Sequence, residues 1–132
     1  MKAFAALMLV LLTAGTALGE APPEQDYMLY CMGCHQQGGA GWAGRVPPLR
    51  GVDRFLGVPE GRAYLVRVPG VAHAGLSDAR LATLLNWVLT AFGTSEFRPY
   101  TAEEVAPLRA NSFLNATAAR KAVLRRLAES GK

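Results

Sequence analysis

The chain has 132 residues, 51% of them apolar, with 14 lysines and arginines against 10 carboxylates and a formal charge of +4. That length allows one small domain and leaves too little chain for two independent cores. A balance this mildly basic gives no argument for nucleic-acid binding, which draws on dense clusters of lysine and arginine.

Lys2 precedes an apolar run at residues 3–12 and then small residues, a pattern of bacterial export signals. The run is too short for a comfortable bilayer span. Ala17-Leu18-Gly19 offers small residues for cleavage, which predicts a mature chain beginning near Glu20; a retained anchor is the competing reading. No cysteine lies near that point for lipidation, and loss of Lys2 lowers the charge from +4 to +3.

Residues 24–33 are predicted to form a short helix in which Tyr27, Met28 and Tyr30 pack. It leads directly into Cys31-Met32-Gly33-Cys34-His35. On a helix, Cys31, Cys34 and His35 stand at i, i+3 and i+4 and share one face. In an exported chain, C-x-x-C-H reads as covalent attachment of one haem c: two sulfurs staple the porphyrin edge and His35 ligates the iron. A thioredoxin-like dithiol, a zinc half-site or a structural disulfide would use the same residues. The chain shows no strand–helix–strand pattern for the dithiol, and the other histidine, His73, is isolated. Haem attachment consumes both cysteines, so stability falls to helix packing around the porphyrin.

Gly38-Gly39-Ala40-Gly41 follows as a turn beneath the haem; it lacks the Lys-Ser/Thr and the preceding strand of a phosphate loop. Val46-Pro47-Pro48-Leu49-Arg50-Gly51 is predicted extended, because proline restricts its predecessor. A second helix is expected from Pro59 through Val66, ending before Pro69-Gly70. The strongest helix starts after Ser77, a good N-cap. Its Leu81, Leu84, Leu85, Val88, Leu89 and Phe92 recur at helical spacing, with Trp87 among them as core and Gly93 at the end. Thr101-Ala102-Glu103-Glu104 offers a capping box for another short helix, which Pro107 should kink or end. Residues 117–128 form a last amphipathic helix, with Val123, Leu124 and Leu127 opposite Arg120, Lys121, Arg125 and Arg126. Those basic residues could steer an acidic partner or simply form a solvated face.

A helix entering C-x-x-C-H, a Pro-x-Leu-x-Gly segment, a middle helix and an amphipathic helix resemble the mono-haem class I c-type cytochromes, over roughly residues 24–92. The resemblance implies an all-α fold, a small cytochrome c-like helical domain around one covalently bound haem. On that reading residues 1–19 are the signal, 20–93 the haem domain and 94–132 a helical C-terminal extension. It also implies that the Pro47 carbonyl accepts a hydrogen bond from the His35 ring, and that Tyr27 or Tyr30 packs on Trp87 or Leu84. The family takes its sixth iron ligand from a methionine before the last core helix. Here Met1, Met8, Met28 and Met32 all precede His35, and the loop at 68–77 holds His73 instead. A distal His73 gives a bis-histidine, low-spin haem of lowered potential; otherwise it is an exposed loop histidine beside an open site.

The function expected is periplasmic electron transfer rather than enzymatic turnover, with one iron cycling between ferrous and ferric. Its partners would be a dehydrogenase, another cytochrome, an oxidase or a reductase, and no stable membrane insertion is expected after cleavage. The alternative is a sensor that captures a small gas at an open distal position. A peroxidase ranks last, because no acid–base partner for His73 is evident.

Overall fold

A computed structural model describes residues 19–131, so all but the last residue of the expected export segment lies outside the described part. Helix α1 spans Pro23–Tyr30: a proline at its first position has the required φ and no N–H to lose, and Glu24 and Asp26 complement the positive end of the dipole. The single helix expected over 24–33 is instead two. Cys31, at φ −122° and ψ −39°, breaks the run, and α2, Met32–His35, restarts with Cys31 as its N-cap. The amides of Cys34 and His35 both donate to the Cys31 carbonyl, at 3.2 and 2.9 Å.

A 3-10 helix, Val52–Gly57, and a short helix α4, Pro69–Ala72, also went unpredicted. At six and four residues, one or two turns each, both are too short for a periodicity to register. Between them lies α3, Pro59–Arg67. Gly61 is buried at this junction because a Cβ there would overlap the Phe55 carbonyl, so only glycine lets α3 lie against the 3-10 helix.

Helix α5, Asp78–Phe92, forms the centre, with Ser77 Oγ accepting from the Arg80 amide at 3.2 Å. Its Leu81, Leu84, Leu85, Val88 and Leu89 are all buried. Helix α1 packs on it through Tyr27, whose ring lies 5.3 Å from that of Trp87 and 5.5 Å from that of Phe92. An Asp26–Arg80 ion pair of 2.5 Å crosses the same contact. Trp87 is only partly buried, and its indole N–H donates to Glu24 at 3.1 Å. Met28 and Tyr30, expected to pack, are 51% and 40% exposed. The face of this short helix that meets α5 is taken by Glu24, Asp26 and Tyr27, which leaves Met28 and Tyr30 turned away from the core.

Helix α6, Ala102–Arg109, continues two residues beyond Pro107. Thr101 accepts from the Glu104 amide at 3.3 Å, but the Glu104 carboxylate turns to Arg62 instead of closing a capping box. Helix α7, Ala116–Glu129, is capped by Asn115, which accepts from the Ala118 amide at 2.9 Å. Tyr100 and Val105 join the same core as the α5 leucines. Val123 and Leu127 close a second core with Phe55, Val58 and Tyr64. The described residues are helical, apart from loops and one antiparallel bridge between Trp42 and Val46.

Candidate functional site

Cys31 is half-buried, Cys34 is exposed, and the two are not joined in a disulfide. Burial, followed by the nearby charges of Asp26 and Cys34, pushes the Cys31 thiol up to about 11. Dithiol oxidoreductases need the opposite, a thiolate stabilised near neutral pH. Among the described residues, no cluster of three or more His, Cys, Asp or Glu side chains could hold a bare metal ion, so the zinc reading lacks its remaining ligands.

His35 Nδ1 lies 3.1 Å from the Pro47 carbonyl oxygen. A carbonyl can only accept, so Nδ1 carries the proton and the lone pair stands on Nε2, the state a metal-binding imidazole requires. Burial lowers the pKa of this ring, and the hydrogen bond to Pro47 opposes that only in part. The neutral form is therefore favoured.

The carbonyl is delivered by the loop. Gly41, at φ +67°, permits a close approach: a Cβ there would overlap the Val46 carbonyl and stand 2.8 Å from that of Pro47. The Gly41 amide donates back to the His35 carbonyl at 3.1 Å, and the bridge from Trp42 to Val46 closes the turn. Gln36, immediately after His35, holds φ +62° and ψ 167°, a region seldom open to a residue with a side chain. Two contacts impose it: the Tyr27 hydroxyl donates to the Gln36 carbonyl at 2.5 Å, and Gln36 Nε2 donates to the Gly41 carbonyl at 2.8 Å. The position of His35 is thus fixed from Tyr27 on one side and Pro47 on the other.

His73 lies at the end of α4, exposed, its imidazole without a hydrogen bond among the described residues. Around it burial alternates: Ala72, Ala74 and Leu76 face inward, while His73, Gly75 and Ser77 face outward. A Cβ on Gly75 would lie 3.6 Å from the Tyr30 hydroxyl, so the His73 loop abuts the residue adjoining Cys31.

The residues present fit a covalently held haem. They supply two accessible sulfurs, an imidazole with a free and oriented lone pair, and exposed apolar side chains nearby in Met28, Tyr30 and Trp42. No family model matches the chain. It is 39% identical over 130 residues to a cytochrome c-552 of Thermus thermophilus, covering 81% of this chain and 87% of that protein. A second Thermus thermophilus cytochrome c-552 is 39% identical over 106 residues, covering 63% of this chain and 81% of the relative.

The chain belongs to the mono-haem c-type cytochromes. Its cofactor is a covalently bound haem c, and its role lies in electron transfer. Among the described residues of this cytochrome, no helix is long and apolar enough to cross a membrane. Sequence reasoning misses three residues around the site. Tyr27 reads as packing only, although its hydroxyl holds the turn after His35. Tyr30 reads the same way, although it meets the His73 loop. Arg109 does not stand out at all, since a cation in a last helical turn reads only as a partner for the helix dipole.

Proposed function

We propose that the protein is a periplasmic electron carrier, exported by cleavage near Glu20, in which Cys31 and Cys34 hold the haem, His35 binds its iron through Nε2 and His73 supplies the sixth ligand. The haem supplies a one-electron ferrous–ferric couple. The observation that carries this reading is the 3.1 Å contact from His35 Nδ1 to the Pro47 carbonyl, which fixes the tautomer and ring orientation and leaves Nε2 free. Pro47 acts by making the imidazole a stronger donor, which favours the oxidised metal. His73 is favoured by its loop, which lies beside Tyr30 and so beside the haem attachment motif. Electron transfer needs no substrate pocket, and partners would approach where Met28, Tyr30 and Trp42 are exposed. The partners would be a periplasmic dehydrogenase, another cytochrome, an oxidase or a reductase, and no turnover of a bound substrate is required.

A gas sensor is the second reading, favoured by the lack of any hydrogen bond holding the His73 imidazole among the described residues. Visible spectra of the purified holoprotein, with and without carbon monoxide, separate the two. A low-spin ferric spectrum and slow carbon monoxide binding support the carrier; a high-spin spectrum with immediate binding supports the sensor. Replacing Cys31 and Cys34 with alanine should leave the haem extractable by acidified organic solvent, whereas wild-type haem stays with the chain. Extraction of wild-type haem would refute attachment at these sulfurs.

A further inference from the structure

We propose that Arg109 is the positioning residue for the distal loop, so that the helix beyond the haem-bearing part of the chain sets the sixth coordination position. This rests on the reading of His73 as that ligand. The Arg109 guanidinium donates to the carbonyls of Ala72 at 3.0 Å, Leu76 at 2.7 Å and Ala74 at 2.6 Å, and to the Asp78 carboxylate at 3.1 Å. These acceptors bracket His73 on both sides. They belong to the three inward-facing residues of the alternating loop and to the first residue of α5.

Within the loop the Leu76 amide donates to the Ala74 carbonyl at 2.8 Å, but the buried carbonyls of Ala72 and Leu76, in a segment that is neither a continuing helix nor a strand, take their donor from Arg109. A planar five-donor fork can meet several acceptors at once, which an ammonium group cannot do in the same geometry. The Arg109 side chain is only 17% exposed, so water competes poorly for these bonds. With Ala72, Ala74 and Leu76 fixed inward, the intervening His73 and Gly75 are fixed outward, toward the side where Gly75 meets Tyr30. His73 has no side-chain anchor of its own among the described residues, so the direction of its imidazole depends on this backbone clamp.

The test compares four holoprotein variants with wild type: Arg109→Met, Arg109→Lys, His73→Ala and Arg62→Met. Arg62 is the control. It ties the same helix to the fold by donating to Glu104 and to the carbonyls of Arg98 and Pro99, but it touches no residue of the His73 loop. Ferric spin state and the carbon monoxide binding rate of the ferrous protein are read below the melting temperature of every variant. Arg109→Met should raise that rate by at least about tenfold, the equivalent of one lost charge-assisted hydrogen bond, and admit a high-spin component. Arg109→Lys should recover only part of the wild-type behaviour, and Arg62→Met should leave spin state and rate unchanged. If His73→Ala is high-spin while Arg109→Met matches wild type, the clamp is wrong and the ligand stands. If Arg62→Met opens the iron as readily as Arg109→Met, the effect is general loosening and the assignment fails. If His73→Ala keeps the wild-type spectrum, both the ligand and the role given to Arg109 fall.

Discussion

His35 and His73 are held in opposite ways. The His35 ring is half-buried and bonded at Nδ1 to the Pro47 carbonyl, and the backbone that follows it is pinned through Gln36. The His73 imidazole is exposed and unbonded among the described residues, and only the backbone on either side of it is clamped, by Arg109. A ligand fixed at its ring and its backbone keeps its geometry when one contact is lost. One fixed only through its backbone keeps rotamer freedom, and here that backbone is held by the Pro69 and Val71 carbonyls and by Arg109. On the proposed ligation, then, the His73 side is the one that opens first.

The largest break in this comparison should come from the support beneath His35. Arg80→Met leaves the Asp26 carboxylate, 4% exposed, without its cation on the α1–α5 contact. The expected cost is about 3–5 kcal/mol, read as a lowered denaturant midpoint. A change under about 1 kcal/mol would show that α1 is held by Tyr27 packing alone.

Gly41→Ala attacks the His35 side more locally. The new methyl would overlap the Val46 carbonyl, crowd that of Pro47 and occupy a left-handed backbone at φ +67°. About 1–3 kcal/mol of destabilisation follows. The reduction potential should also rise, because a displaced Pro47 carbonyl no longer strengthens the His35 imidazole. An unchanged potential would mean that this hydrogen bond does not tune the iron.

The smallest effect is a control that moves neither histidine. The hydrogen bond from Arg62 holds the Glu104 carboxyl below its ordinary value, with Arg98 adding to it. The folded state therefore binds a proton less readily than the unfolded one. The stabilisation is complete above the unfolded value of about 4.3 and is lost as pH falls through the lower folded value. Glu104→Gln should remove less than about 1 kcal/mol at neutral pH and flatten the acid limb of the unfolding profile, with the visible spectrum unaltered.

The amino-acid sequence alone determined what is written locally. The order Cys31-Met32-Gly33-Cys34-His35 is chemistry at fixed spacing, the α5 stripe from Leu81 to Leu89 is a helical period, and Ser77 is a cap. Each needs only neighbours within one or two turns. The positive-φ turn at Gln36 leaves no local sign because it is imposed from a distance, by the Tyr27 hydroxyl on the Gln36 carbonyl. The outward turn of Met28 and Tyr30 depended on which side of α1 meets α5, and an eight-residue helix carries too few apolar positions to announce that face. Tertiary structure alone brought Arg109 to carbonyls 33–37 residues away. Backbone acceptors are the same at every position and leave no trace in residue identity, so no pattern along the chain could have paired that arginine with the loop around His73.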